Sequence, residues 1–320
     1  AGLLLQTCYH CTEVKPMTER SISLHGVFTP IVTSFDDSGR VAHDKIAANL
    51  DRWNRTDLRG YIVLGSNGEW VFLNEVERLE VLRTARAAIP REKLMIAGTA
   101  AESTVHTIRM TEQAAAIGAD AAIIVNPSYY KGQMTSSVLA GYYRSVADAA
   151  PIPIMIYNLP PATGMDLPAD LLVELSAHPN IIGVKDTGGN IGKMADTVRR
   201  ADVSFEVLAG SANFFYPSLA IGATGGILAL GNIAPEACIA LYDHFRAGRM
   251  DEGRALHMRM LPVNLAVTSQ WGVSGLKAAM DMLGWYGGPP RLPLQALEHD
   301  RRQALRTVLE AAGLLPQATV

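Results

Sequence analysis

Lys185 stands at the end of the apolar run Ile181-Ile182-Gly183-Val184 and is followed by Asp186-Thr187-Gly188-Gly189. A run of that length bounded by glycines reads as a fully buried strand, and a lysine at its C-terminal end projects into a pocket with few water contacts. Burial favours the neutral amine, and a neutral amine attacks a ketone to form a Schiff base. The placement therefore points to covalent catalysis on a 2-oxo acid. The plainer alternative is a strand-end lysine that packs its stem on the rim and keeps its head in water.

Other segments bear on that choice. In Gly65-Ser66-Asn67-Gly68-Glu69 two glycines permit a tight turn. Its backbone N–H groups, the Ser66 hydroxyl and the Asn67 amide make a nest sized for a carboxylate, although an ordinary Gly-rich turn with a Ser/Asn cap has the same composition. Glu69 suits support of the loop better than chemistry. Tyr129 in Asn126-Pro127-Ser128-Tyr129-Tyr130-Lys131-Gly132, and Tyr157 in Tyr157-Asn158-Leu159-Pro160-Pro161-Ala162-Thr163-Gly164, could relay a proton at a substrate hydroxyl, as a retro-aldol step requires. Either could equally be a packing residue with a wet tip. Leu208-Ala209-Gly210-Ser211 has no basic neighbour to complete a phosphate site, so Gly210 reads as room for a small substrate, with Ile227 as an apolar wall. No H-E-x-x-H, clustered metal ligands or G-x-S-x-G occurs, and the eight histidines are scattered. A lysine-based lyase that requires neither metal nor cofactor is the chemistry left.

These residues need a scaffold that brings strand ends together. Strands are expected at Val27–Phe35, Tyr61–Gly65, Leu94–Thr99, Ala121–Pro127, Ile154–Asn158, Ile181–Lys185, Phe205–Gly210 and Gly226–Leu230, with segments of helical period between them. Alternating strand and helix implies right-handed crossovers and a parallel sheet. Eight repeats without a G-x-G-x-x-G after the first strand favour a closed (β/α)8 TIM barrel. The barrel is placed at residues 26–233, after an irregular extension at 1–25. A C-terminal helical extension follows at 234–320, with helices at Pro235–Ala247, Met250–Val267, Gly275–Leu283 and Leu294–Ala312.

Composition sets outer limits. The 320 residues are 48% hydrophobic and 18% charged with net charge −3, which suits a large buried core and gives no electrostatic footprint for nucleic acid. No uninterrupted apolar run reaches membrane-spanning length. Three cysteines make a disulfide framework unexpected and favour a reducing compartment, with the cytoplasm as the default; Cys8-x-x-Cys11 lacks the second pair that a zinc site needs. Leu3-Leu4-Leu5 is too short for a signal segment, and Met17-Thr18-Glu19-Arg20 reads as an ordinary chain start.

Taken together, Gly65-Ser66-Asn67-Gly68-Glu69, the Tyr129-Tyr130 pair, Tyr157 with Pro160 and Gly164, Ile182-Gly183-Val184-Lys185-Asp186 and Leu208-Ala209-Gly210-Ser211 resemble the dihydrodipicolinate synthase/N-acetylneuraminate lyase superfamily of class I aldolases. The likeness runs from about Gly26 to Leu314. Pro127-Ser128-Tyr129-Tyr130-Lys131-Gly132 and Tyr286-Gly287-Gly288-Pro289 are most similar to the 4-hydroxy-2-oxoglutarate aldolase branch. The synthase branch carries a carboxylate-gripping arginine five positions after the strand-five tyrosine, where this chain has Ala162. Losing such a clamp removes about 2–4 kcal/mol of charge-assisted binding.

The resemblance implies that Lys185 forms the Schiff base and Tyr157 shuttles the proton. It implies that Tyr129 reaches in from a neighbouring subunit, that Ser66 and Asn67 hold the C1 carboxylate, and that Thr187 and Gly210 line the substrate chain. It also implies a homotetramer built as a dimer of dimers, acting on a small-molecule 2-oxo acid. The expected reaction is cleavage of 4-hydroxy-2-oxoglutarate to pyruvate and glyoxylate. An aldolase for a 2-oxo-3-deoxy sugar acid is the nearest rival, with a dihydrodipicolinate synthase and a non-catalytic 2-oxo-acid sensor behind it.

Overall fold

The computed structural model describes residues 22–316. The expectations about Leu3-Leu4-Leu5, Cys8, Cys11 and the Met17 start lie outside the described residues. Eight strands, β1 (Gly26–Pro30), β2 (Gly60–Val63), β3 (Leu94–Gly98), β4 (Ala121–Val125), β5 (Ile154–Asn158), β6 (Ile181–Asp186), β7 (Glu206–Ala209) and β8 (Gly225–Ile227), are all parallel, and β8 closes on β1. The chain is a TIM barrel with helices between successive strands.

Alternation along the strands, broken only by one extra residue in β6, divides the core in two. Phe28, Ile62, Ile96, Ile123, Met155, Tyr157, Leu208 and Ile227 point inward and pack together as the barrel interior. Their neighbours Val27, Val63, Ala97, Ile124, Ile156, Val207 and Leu228 point outward into the larger core under the helices.

The helices are α1 (His43–Trp53), α2 (Glu75–Ala88), α3 (Thr104–Ile117), α4 (Ser136–Ala149), α5 (Pro160–Thr163), α6 (Ala169–Ser176), α7 (Ile191–Arg200), α8 (Ala212–Ala220), α9 (Pro235–Arg246), α10 (Met250–Leu265), α11 (Gly272–Met282) and α12 (His299–Ala311). Several of their starts are fixed by side-chain caps. Asn74 and Glu77 form a reciprocal capping box on α2, and Ser103, Thr135 and Asn190 cap α3, α4 and α7. The helix α9 packs on α8 and β1, in the place of an eighth barrel helix, while α10, α11 and α12 gather on one side.

Most boundaries shift by one or more residues from the sequence reading, and three of the shifts bear on the site. The first strand stops at Pro30 rather than Phe35, because the chain turns away and Phe35 pairs only with Val41. The last stops at Ile227, and Ala229–Asn232 winds into a 3₁₀ turn whose Asn232 amide donates to the Pro30 and Ala229 carbonyls at 3.0 and 2.9 Å. The final helix begins at His299, since Arg291 is held to Glu69 and Phe72 and the chain then turns, the Leu294 N–H donating to the Arg291 carbonyl at 3.1 Å.

Candidate active site

A slip of one residue in β6 decides where Lys185 points. Ile154 pairs with Ile181, but the next residue of β5, Met155, pairs with Gly183, so Ile182 is an extra residue in the strand. A single inserted residue reverses which face every later side chain occupies. Without it, Lys185 would share the outward face of Ile181; with it, Lys185 pairs with Tyr157 on one side and Leu208 on the other, both interior residues. Gly183 makes the slip possible, because a Cβ there would lie 2.3 Å from the Glu206 carbonyl oxygen on β7.

The lysine is 4% exposed, and its Nζ lies 4.0 Å from the centre of the Tyr157 ring. Among the described residues no carboxylate stands within ion-pairing distance of it. Two other lysines withdrawn from water differ in this respect. Lys193 is paired with Asp166 and, at 2.8 Å, with Asp186; Lys277 is paired with Glu69 at 2.6 Å. At Lys277 burial, the largest influence, still lowers the amine, and the Glu69 carboxylate opposes that shift.

Tyr157 is 6% exposed, and its hydroxyl is 3.4 Å from Ser66 Oγ. Burial alone would push the phenol up and is the largest single influence. It is outweighed by the Lys185 charge together with bonds involving Ser66, Lys185 and Thr187, so the phenol sits below the ordinary tyrosine value. Thr187 Oγ1 is buried and has no partner at hydrogen-bonding geometry among the described residues, although it is near enough to Tyr157 to favour the phenolate. The hydroxyl packs on Gly210, where a Cβ would come within 2.1 Å of Thr187 Oγ1. Ile227 is fully buried in the interior cluster that contains Tyr157.

Ser66 opens a 3₁₀ turn, Ser66–Gly68, directly after β2. Asn67 is turned toward the end of β1, its amide donating to the Pro30 carbonyl at 3.5 Å. Ser66 lines a cleft of about 260 Å³ whose walls include Trp70, Glu102, Asn126, Leu159 and Ala162, and Tyr157 lines a small adjoining hollow that shares Ser66, Trp70, Ala100 and Val125 with it. No lysine, arginine or histidine lines the cleft. A larger groove of about 560 Å³, bordered by Arg83, Arg86 and Arg91, lies between α2 and α3 on the outer surface, away from the strand ends.

Tyr129 is not gathered with these residues. It is 78% exposed, with its ring edge-on to Tyr130 at 5.0 Å, and the Glu102 carboxylate fixes its turn by accepting from the Ser128 and Tyr129 amides at 3.1 Å. Among the described residues no group of three or more His, Cys, Asp or Glu side chains could hold a metal ion. No helix among the described residues is long and apolar enough to cross a membrane. Burial pushes the Cys238 thiol up, away from reactivity.

Sequence reasoning did not single out the polar plate behind the site. Asn158 follows Tyr157, Asp186 follows Lys185, and the two pair across the strands. The Asn158 amide donates to Asp166 at 2.7 Å and Asp186 at 3.1 Å, while Asp186 also accepts the Gly188 N–H at 2.7 Å. Lys193 neutralises both carboxylates. The available signal was the position of Asn158 and Asp186 next to two candidate catalytic residues.

The sequence pattern of the Dihydrodipicolinate synthetase family matches residues 23–312. The chain is 36% identical over 287 residues to a probable mitochondrial 4-hydroxy-2-oxoglutarate aldolase of Emericella nidulans, covering 88% of this chain and 92% of that one. It is 33% identical over 301 residues to the L-threo-3-deoxy-hexylosonate aldolase of Hypocrea jecorina, covering 90% and 95%. The crystal structure of the chloride-inhibited dihydrodipicolinate synthase of Acinetobacter baumannii, complexed with pyruvate, superposes with a TM-score of 0.87 at 27% identity, covering 92% of this chain and all of that one. The chain belongs to the dihydrodipicolinate synthetase family and is a pyruvate-dependent carbon–carbon lyase of that superfamily.

Proposed function

We propose that the protein cleaves 4-hydroxy-2-oxoglutarate to pyruvate and glyoxylate through a Schiff base on Lys185. The observation that carries this reading is a buried lysine with no carboxylate partner, set against a tyrosine whose phenol is held low. Ser66 and Asn67 take the C1 carboxylate, and Thr187 and Gly210 flank the bound chain. Lys185 Nζ attacks C2, and loss of water leaves a protonated imine. Tyr157, as phenolate, takes the proton of the C4 hydroxyl; the C3–C4 bond breaks, its electron pair passing through C3 into the imine to give an enamine, and glyoxylate departs. Protonation at C3 and hydrolysis return pyruvate and the free amine. No cofactor takes part in these steps. Tyr129 belongs to the site of a neighbouring subunit in a homotetramer, in keeping with its exposure.

Ala162 supports an aldolase over a synthase, because the cleft lined by Ser66 offers no guanidinium to an incoming aspartate semialdehyde. The same lack of a cation, beside the polar Asn126, Ser128 and Thr163, favours as a second reading a hydroxylated substrate tail, as in a 2-oxo-3-deoxy sugar acid. A panel of 2-oxo acids assayed for pyruvate release tests both. The expected result is cleavage of 4-hydroxy-2-oxoglutarate with at least ~10²-fold lower specificity constant for condensing pyruvate with aspartate semialdehyde, since a missing charged hydrogen bond is worth roughly 1.5–3 kcal/mol or more. Comparable constants for those two reactions would contradict it, and a much higher constant for a five- or six-carbon deoxy sugar acid would favour the second reading.

A further inference from the structure

We propose that Lys277, far along the chain on α11, is a positioning residue for substrate binding. It fixes the Ser66–Asn67 turn through a buried ion pair with Glu69. The inference rests on the reading of Ser66 and Asn67 as the carboxylate-binding pair. Glu69 ends the Ser66–Gly68 turn, its N–H donating to the Ser66 carbonyl at 3.1 Å, and its backbone is left-handed at φ 52° and ψ 32°. A residue with a side chain occupies that region only when its surroundings insist.

The surroundings come from the C-terminal segment. Glu69 Oε1 meets Lys277 Nζ at 2.6 Å with both side chains 1% exposed, and Glu69 Oε2 accepts the Arg291 N–H at 2.8 Å. The first contact is an ion pair rather than an aligned hydrogen bond, since Oε1 lacks a partner at hydrogen-bonding angles. Lys277 also donates to the Pro289 carbonyl at 3.0 Å and lies over the Phe35 ring at 4.4 Å.

The Tyr286-Gly287-Gly288-Pro289 motif acquires a purpose here. A Cβ on Gly287 would lie 2.1 Å from the Lys277 carbonyl oxygen, so only glycine lets this turn rest on α11 and bring Pro289 to the ammonium. Asp281 holds the turn by accepting the Gly287 and Gly288 amides at 2.8 and 3.2 Å. Two residues beyond Pro289, the Arg291 guanidinium grips Glu77 at 2.8 and 2.7 Å and the Phe72 carbonyl at 3.0 Å. The substrate loop is thus clasped at Glu69 and again at Phe72 and Glu77. Removing one charge strands the other in the interior, which penalises the present loop geometry.

The test uses the full chain and its Lys277→Met, Glu69→Gln and doubly substituted variants. Borohydride trapping of pyruvate at Lys185 is measured against pyruvate concentration, beside KM and kcat for the cleaved 2-oxo acid. A positioning role predicts that each single variant needs about tenfold more pyruvate for half-maximal trapping and shows a raised KM, with kcat changed by less than about threefold, the signature of lost ground-state binding. The double variant is no worse than either single one, because no charge is left stranded. Glu69→Gln nearly preserves shape and carries the test if Lys277→Met fails to fold. Half-saturation unchanged in the folded variants while the wild type traps pyruvate would overturn the clasp alone. A wild-type chain that traps no pyruvate would overturn the functional reading beneath it.

Discussion

Lys185 and Tyr157 sit 4.0 Å apart, amine to ring centre, and the lysine charge is the foremost of the influences that lower the phenol against its burial. Because the phenol is held below the ordinary tyrosine value, the phenolate is populated at lower pH than in a free tyrosine. Turnover should therefore rise with pH along a limb that levels off below about 10, the unperturbed value. Replacing Tyr157 with Phe removes only the hydroxyl; it should abolish that limb and slow turnover by about 10²–10⁴-fold while pyruvate can still be trapped on Lys185. An unaltered pH profile would mean that another group moves the proton. Lys185 and Tyr157 could be singled out in the sequence because each lies near the C-terminal end of an apolar run that reads as a buried strand. Lys277 could not, since a lysine on an amphipathic helix reads as part of a solvated face until the turn at Gly287 covers it.

At the level of elements, the eight strands could be read from their apolar runs, but the phase of β6 could not. Ile181-Ile182-Gly183-Val184 is apolar throughout, so it carries no alternation to reveal which residue is extra. The register with β5 and β7 supplies that information, and it turns Lys185 inward. Gly183→Ala places a methyl group against the Glu206 carbonyl, so the two strands must separate. We expect a loss of about 1–3 kcal/mol, as for other overpacked cores. Turnover should fall by about 10²-fold, the cost of an ångström-scale misplacement of a reacting group. Calorimetric unfolding and pyruvate release check the two effects, and a fully active Gly183→Ala protein would contradict the role given to the slip. The end of β1 was misread for a related reason. The residues from Ile31 to Phe35 look like more strand, yet they serve the contact with the C-terminal segment, where the Phe35 ring lies under Lys277 and Arg291.

For the molecule as a whole, the single chain brings Lys185 and Tyr157 together but leaves Tyr129 facing outward, edge-on to the exposed Tyr130. If Tyr129 serves a neighbouring subunit, oligomers mixed from inactive Tyr129→Phe and Lys185→Ala chains should regain activity, because some sites then combine an intact lysine with an intact tyrosine. Mixtures as inactive as their components would place Tyr129 outside the partner's chemistry. The sequence showed Tyr129 on a loop after β4; where that loop leads depends on assembly, which local pattern does not encode. The proposed chemistry turns on the amine near the end of β6. Borohydride reduction of the full chain in the presence of pyruvate, followed by peptide mass analysis, tests it directly: a single pyruvyl adduct on the peptide containing Lys185, absent from Lys185→Ala, is the predicted result, and an adduct on Lys193 or Lys277, or undiminished activity in Lys185→Ala, would contradict it.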